Sequence, residues 1–403
     1  MPVIDIDAHF EPTDDWLDEF PALKGELPDR FPTDDPRFAL RSPEMFAYFV
    51  TDDLLRGVPR EKRMPIERLV TDGMRRLYDP DRGPEAGYPG SDQHKQMVDV
   101  DERIRWLDDQ GIDVQNVISG LAYTLARAIA DPALGCDALE AANTWLSDRT
   151  AETGGRLMTA VNLRFEDLDW VIGELGRMRE RGSRTLLVNA EPTGDVPPNH
   201  RDYDRLWSAV TDLGMVPIVH VGMSPALYHP AWANTDDPAL IRLVSVLQMD
   251  QQAQVFLNAM VFGGVFERHP DLTIVFAEQG IDWVVPNVLR MDALASPDFS
   301  PLVIDGYELP LMPSEYVLRN VRVTPLPVPH QSPVPIIEGL PGVAVFSSDY
   351  PHMEGSGDPV GHYRDLLAPL TDAQRASFLG GSLADAFART GDPLPVHQGV
   401  GRG

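Results

Sequence analysis

The sequence has little cysteine: Cys136 is the only one among 403 residues. A single cysteine excludes an internal disulfide framework and any metal site built from several thiolates, and it suits a reducing compartment. No apolar run approaches the roughly 20 residues that a membrane span needs, and residues 1–9 lack the basic start and apolar core of a signal peptide. We therefore expect a cytoplasmic protein.

Positive charge is also scarce. The chain has 34 Lys and Arg against 62 Asp and Glu, which gives a formal net charge of -28. Such a surface repels nucleic-acid phosphates and anionic lipids, so we expect neither nucleic acid nor a membrane as a partner. With 43% hydrophobic residues, the chain can still bury a large globular core.

Polar residues crowd one short stretch near the N-terminus, "VIDIDAHFEP", where Asp5, Asp7, His9 and Glu11 occupy every second position. Side chains of a strand alternate between its two faces, so these four are expected to share one. The stretch alone allows a solvated edge strand. It also allows a buried face whose carboxylates need a cation or a hydrogen-bond network.

Short apolar, β-branched runs alternate with stretches of helical periodicity along the chain, a pattern typical of a parallel sheet with helical crossovers. Eight runs indicate a closed (β/α)8 TIM barrel, with a doubly wound sheet as the alternative. One stretch, Leu168 to Met178, carries the apolar spacing of a core-facing helix. The predicted strands are 3–9, 112–119, 156–163, 183–190, 216–221, 272–278, 321–326 and 343–349.

A long interruption separates the first two runs. We assign residues 1–390 to a single barrel domain with an insertion over 13–101, and residues 391–403 to a flexible tail rich in Pro and Gly. Within the insertion, Ser42 and Pro43 predict the start of a helix with Phe46 and Phe49 on its apolar side. In a barrel this insertion leaves the end of the first strand, so it either covers the active site or forms a peripheral or dimer contact.

The chemistry of a barrel lies at the C-terminal ends of its strands, and polar residues stand at four of the predicted ends. The first run ends with Asp7 and His9, the fifth with His220, the sixth with Glu278 and the eighth with Asp349. Imidazole and carboxylate ligands from separate strands, without thiolate, suit one divalent cation such as zinc or manganese. Each residue alone is more simply a buried polar side chain at a strand end.

Several longer segments carry a resemblance to a known family: "DIDAHFEP", "RIRWLDDQGIDVQNV", "FERHPDLTIVFAEQGIDWVVPNVLRMD", "PSEYVLRNV" and "SSDYPHMEG". In this order the chain resembles the amidohydrolase-2 group of the amidohydrolase superfamily, which includes aminocarboxymuconate-semialdehyde decarboxylase. The resemblance extends over nearly the whole chain. It implies a metal-dependent enzyme that acts on a small molecule and forms a homodimer.

The resemblance also assigns site residues. The group's D-x-H-x-H-x-x-P segment places the first two ligands at Asp7, a departure from histidine, and at His9, while the fifth and eighth strands supply His220 and Asp349. The fourth strand ends "LLVNAEP", without a lysine that could bridge two metals, so one ion is expected. The remaining pocket or outer residues are Glu11, His352 and Trp283.

Glu278 stands where characterised members of the group have a catalytic histidine. A glutamate needs a raised pKa to donate a proton near neutral pH, so this departure favours a hydrolase over a decarboxylase. In a hydrolase, Asp349 would take a proton from a metal-activated water. Decarboxylation of an aromatic or unsaturated acid, with Glu278 as the proton donor, is the alternative, and a ligand-binding barrel without turnover is a third reading.

Overall fold

The computed structural model describes residues 2–12, 16–26, 55, 58–77, 96, 98–120, 129, 131–221, 230–233, 237–296, 308–326, 331–352 and 356–394. Its sheet has seven parallel strands in the spatial order of the sequence, each paired with the next. The strands are shorter than the predicted runs because their ends leave the ladder and become loops. They are β1 (Ile4–Asp5), β2 (Val114–Val117), β3 (Leu157–Val161), β4 (Thr185–Leu187), β5 (Val216–His220), β6 (Ile274–Ala277) and β7 (Val321–Val323).

The eighth predicted run, 343–349, forms no strand among the described residues, but it closes the sheet. Isolated parallel bridges join Ala344 to Val323 of β7 and Tyr350 to Ala8 beyond β1. The backbone N–H of Asp349 donates to the carbonyl of Asp7 at 2.8 Å. Both edges of the sheet are therefore joined, which confirms the (β/α)8 barrel and excludes a doubly wound sheet.

Two apolar cores lie on the two faces of the curled sheet. Along β3, Met158 and Ala160 belong to the cluster inside the barrel, whereas Leu157 and Val161 belong to the cluster between strands and helices. This alternation follows from the two-residue period of a strand. The barrel interior below the strand ends is thus filled with side chains, and the polar site lies above it.

Helices surround the sheet and connect its strands. The predicted helix over 168–178 is present as α5, capped by Asp167, whose side chain accepts hydrogen bonds from Asp169 and Trp170 N–H. The helices are α1 (Pro21–Glu26), α2 (Arg60–Leu77), α3 (Val100–Gln110), α4 (Pro132–Ala151), α5 (Leu168–Glu180), α6 (Asp204–Asp212), α7 (Pro238–Leu247), α8 (Gln251–Phe262), α9 (Val265–Arg268), α10 (Val284–Ala295), α11 (Pro313–Asn320), α12 (Val334–Gly339), α13 (Pro359–Leu366), α14 (Asp372–Ala376) and α15 (Ser382–Arg389).

The insertion and the tail are described only in part. The helix predicted at Ser42 to Phe49 lies outside the described residues, as do residues 395–403, so the roof over the site stays a prediction. Helix α2 packs on α7, where Ile66 and Ile241 share a buried apolar cluster. None of the described helices is long and apolar enough to cross a membrane.

Candidate metal centre

Imidazole and carboxylate groups meet at the C-terminal mouth of the barrel. His9 Nε2 lies 3.1 Å from Asp349 Oδ1 and 4.0 Å from Asp7 Oδ1. Asp7, His9 and Asp349 are all buried. The strand ends predicted to converge do converge here, because Asp7 and His9 follow β1 and the Asp349 N–H donates to the carbonyl of Asp7.

His220, the last residue of β5, joins this cluster from the other side. Its Nε2 lies 3.4 Å from Asp7 Oδ1 and 3.0 Å from Glu278 Oε2. Its Nδ1 lies 2.8 Å from the carbonyl oxygen of Val221. A proton on Nδ1 donates to that carbonyl and leaves the Nε2 lone pair free to face the carboxylates, the tautomer that a metal-binding histidine adopts.

His352 contacts two members of the cluster. Its ring stacks on that of His9 with a centroid separation of 3.6 Å, and its Nδ1 lies 3.3 Å from Asp349 Oδ1. The side chains form two overlapping sets whose candidate ligand atoms lie within 4.8 Å of one another. One set is Asp7, His9 and His220, and the other is His9, Glu278, Asp349 and His352.

Five buried polar atoms of this cluster have no hydrogen-bond partner in the described part of the chain. They are both carboxylate oxygens of Asp7, Nδ1 of His9, Nε2 of His220 and Oδ2 of Asp349. An unsatisfied buried polar group costs about 1–3 kcal/mol, and more if it is charged. These clustered carboxylates and imidazoles could hold a cation between them, and their oxygen and nitrogen donors suit a divalent metal such as zinc or manganese.

The electrostatic environments of His9 and His220 differ. Burial, the nearby His352 and other positive groups hold the pKa of His9 well below its ordinary value, so this ring is neutral. Burial also opposes a charge on His220, but Asp7 and Glu278 outweigh it and hold the pKa of His220 well above its ordinary value. Asp7 and Glu278 therefore favour positive charge beside His220 Nε2.

Two cluster residues have a left-handed backbone. Glu278 has φ 56° and Asp349 has φ 53°, and they are the non-glycine residues with positive φ in the described part of the chain. Such values are uncommon for residues with a Cβ atom and concentrate at functional sites. Glu278 directly follows β6, and Asp349 directly precedes Tyr350, which is bridged to Ala8.

Two residues named from the sequence have other contacts. Glu11 accepts a hydrogen bond from Ser119 Oγ at 2.9 Å and one from the Gly120 N–H at 2.7 Å, so it ties the loop after β1 to the loop after β2. Trp283 donates to the carbonyl of Gly280 at 3.0 Å and packs on Phe276 in the outer core. Neither belongs to the two candidate ligand sets.

Arg103 of α3 is hydrogen-bonded to the backbone of the cluster, and the sequence did not indicate this role. Its guanidinium is fully buried, donates to the carbonyl of His9 and to Gln115 Oε1 at 2.8 Å, and lies 5.2 Å from the ring centroid of Tyr350. Gln115 in turn donates to Asp5 Oδ2 at 2.7 Å. Burial raises the pKa of Asp5 to about 7, although hydrogen bonds from Ser348 and Gln115 lower it.

Replacing Arg103 by methionine should weaken metal binding by about 10- to 100-fold, the usual effect of losing a group that orients a ligand. The substitution frees the His9 carbonyl and so loosens the ring. Titration of the apoprotein with Mn²⁺ or Zn²⁺ against a chelator measures the change. Arg322→Met is the control, because Arg322 is also buried and its pKa is likewise lowered to about 10, yet it bonds Val321 O and Ser382 O. Equal affinities in the two variants would leave Arg103 with a purely structural role.

One family model, that of the amidohydrolases, matches residues 4–382, which is nearly the whole chain. The chain belongs to the amidohydrolase family. This amidohydrolase has no significant match among curated proteins.

Solved structures share its fold. An amidohydrolase from Mycobacterium avium subsp. paratuberculosis K-10 is 22% identical, with a TM-score of 0.60 over 73% of this chain and 74% of that one. The 5-carboxyvanillate decarboxylase from Sphingomonas paucimobilis is 20% identical, with a TM-score of 0.61 over 96% and 99%. A dihydroxybenzoic acid decarboxylase from Polaromonas sp. JS666, with bound manganese and the inhibitor 2-nitroresorcinol, is 16% identical, with a TM-score of 0.60 over 96% and 97%.

Proposed function

We propose that this amidohydrolase is a non-oxidative, metal-dependent decarboxylase of a small aromatic acid. One divalent cation, manganese or zinc, would be held by Asp7, His9, His220 and Asp349. Glu278 is the proton donor in this proposal, and His352 orients His9 and Asp349. Two copies of the chain would form the working enzyme.

The position of Glu278 carries the choice of reaction. From the sequence, glutamate in place of histidine favoured hydrolysis, since a glutamate needs a raised pKa to donate a proton near neutral pH. A purely structural contact of Glu278 with the backbone or with Trp283 was the alternative. Instead, Glu278 Oε2 lies 3.0 Å from His220 Nε2, and its carboxylate is among the candidate ligand atoms around His9 and Asp349. A carboxyl group at that distance can reach a molecule bound at the cation, which supports Glu278 as a proton donor.

The proposed reaction balances without an oxidant. A bound cation would supply positive charge that holds the substrate's carboxylate and the adjacent oxygen in place. Glu278, protonated, gives its proton to the ring carbon that bears the carboxylate. The bond between that carbon and the carboxylate then breaks, carbon dioxide leaves, and the electron pair of the broken bond restores the aromatic ring. The Glu278 carboxylate regains a proton from water.

Related folds support the same chemistry. Most of the similar solved structures are decarboxylases of hydroxylated benzoic acids, and several of them contain manganese. At 15–22% identity these structures share the fold, and their substrates suggest a class to test rather than a specific compound. The unpartnered ligand atoms argue against a barrel that has lost its metal, because such a barrel would have no reason to keep them buried.

A substrate panel decides between the two reactions. The protein loaded with Mn²⁺, and separately with Zn²⁺, is incubated with hydroxybenzoates and with esters, amides and lactones of similar size. We expect carbon dioxide release from at least one hydroxybenzoate, lost on chelation and restored by metal. Hydrolysis of a panel member without carbon dioxide release from any would favour the metal-activated water reaction with Asp349 as the base. The chelated protein is the matched control for both arms.

A further inference from the structure

The turn that follows β6 begins with Glu278, and its backbone leaves the sheet in an irregular way. Thr324, directly after β7, donates its N–H to the carbonyl of Phe276 at 2.9 Å. In a regular parallel ladder the next bond would run from the Glu278 N–H to the Thr324 carbonyl. Instead, the Glu278 N–H donates to the side-chain hydroxyl of Thr324 at 3.1 Å. A side chain therefore takes the place of a backbone group at the point where β6 ends.

This irregular bond coincides with the left-handed backbone of Glu278. A residue with a Cβ atom keeps a positive φ only where its surroundings hold it there. Asp349, which has the same backbone conformation, donates its N–H to a backbone carbonyl, that of Asp7. At Glu278 the acceptor is the hydroxyl of Thr324, so the conformation of this turn depends on the identity of a side chain.

Thr324 is a fixed support for the turn. Its side chain is fully buried, and its N–H is bonded within the barrel wall. The residue before it is bonded on the other side of the strand as well, where the Val345 N–H donates to the carbonyl of Val323 at 3.0 Å. Because the hydroxyl is carried by this rigid strand, it restrains the backbone group that it bonds.

The residues that follow Glu278 are also held in place. Gln279 Nε2 donates to the carbonyl of Val219 at 3.2 Å, and Trp283 Nε1 donates to the carbonyl of Gly280 at 3.0 Å. Gly280 has a positive φ of 67°, and a Cβ atom there would lie 2.6 Å from Gln331 Nε2. Neighbours on both sides therefore fix the turn, which suits a side chain that must be aimed accurately.

We propose that Thr324 is a positioning residue for the proton donor: its hydroxyl fixes the turn at Glu278 and so directs the carboxylate toward His220 Nε2, 3.0 Å away. This inference rests on the proposed decarboxylation with Glu278 as the acid. Proton transfer to carbon depends on the distance and angle of the donor, and a misplacement of about 1 Å costs about 100-fold in rate. Thr324 acts through the Glu278 backbone and has no part in holding the metal.

Thr324→Val keeps the shape of the side chain and removes its hydroxyl. We expect kcat for carbon dioxide release to fall by about 10- to 100-fold, with KM and the affinity for Mn²⁺ nearly unchanged. Thr324→Ser, which retains the hydroxyl, should recover most of the loss. Thr159→Val is the matched control, because Thr159 is also buried on a strand but its hydroxyl lies 2.8 Å from that of Thr150 on α4. The control should keep the wild-type kcat.

The double variant Glu278→Gln/Thr324→Val separates positioning from a general loss of stability. If Thr324 acts through Glu278, the double variant is no slower than Glu278→Gln alone, whereas independent effects multiply. Thermal melting checks the fold, and Thr324→Ala carries the same expectation if the valine variant melts early. A folded Thr324 variant without the hydroxyl that keeps the wild-type kcat, or a double variant slowed by the product of both single effects, would overturn the proposal. Full activity in Glu278→Gln alone would instead show that the assigned acid is wrong, and the role of Thr324 would fall with it.

Discussion

Replacing His220 by alanine is expected to abolish stoichiometric metal binding. The imidazole is the only ligand that β5 brings to the cluster in the described part of the chain, and it faces Asp7 at 3.4 Å. Loss of this imidazole should weaken the affinity for Mn²⁺ or Zn²⁺ by more than about 100-fold. That is a larger effect than the loss of a residue that only orients a ligand. Turnover should fall with it. Elemental analysis after metal repletion and gel filtration measures the bound ion, and a chelator competition gives the affinity.

His269→Ala is the matched control. The side chain of His269 is 10% exposed, like that of His220, and its Nε2 lies 3.3 Å from Asp204 Oδ1. His269 directly follows α9 and belongs to neither candidate ligand set. The control should keep one ion per chain. If the His220 variant also keeps its ion at wild-type affinity, the assignment of the metal centre is wrong.

Replacing Glu278 by glutamine should slow decarboxylation by about 100- to 10,000-fold, the contribution usually made by a positioned acid or base. Glutamine keeps the size and the hydrogen-bonding oxygen, but it has no proton to give to carbon. Metal affinity should change by less than about tenfold, because four other ligands remain. Steady-state carbon dioxide release and metal titration on the same preparation separate the two effects.

A comparison with Asp349→Asn separates loss of the proton donor from loss of the metal. That variant should lose both metal and turnover, since Asp349 lies 3.1 Å from His9 and retains an unpartnered oxygen. Glu174→Gln controls for removing a buried carboxylate, because Glu174 bonds Asn143 and Arg177 away from the mouth of the barrel. It should lower stability and leave turnover nearly unchanged. A Glu278 variant with wild-type decarboxylation would exclude Glu278 as the acid.

The convergence of the site was predictable from the sequence because it depends on topology. Parallel strands end at one edge of a sheet, so polar residues at the ends of the first, fifth, sixth and eighth runs must share that edge. The structure brings Asp7, His9, His220, Glu278 and Asp349 together there. The predicted strand bounds were wrong. The observed strands are shorter because apolar residues continue past the last hydrogen bond of the sheet, and the eighth run joins its neighbours only by single bridges.

Contacts made through loops and helices were not predictable. A helical pattern indicates which side of α3 is buried, but it does not indicate that Arg103 lies under the carbonyl of His9. An arginine on the buried side of a helix was the available signal. Likewise, the stacking of His352 on His9 depends on the conformation of the turn after Asp349, which residue spacing does not determine.

The left-handed backbone at Glu278 and Asp349 also bears on protein engineering. For a side chain with a Cβ atom this conformation costs roughly 1–2 kcal/mol, most at Glu278, since aspartate and asparagine tolerate it better and glycine adopts it freely. Glycine or asparagine at these two positions would therefore relax the backbone while removing the acid or the ligand. Selection for heat resistance alone would enrich inactive enzymes at both positions. A substitution that raises the melting temperature at either of these two turns is expected to lower catalytic activity. Libraries of this barrel that are selected for thermal stability therefore need a simultaneous screen for activity.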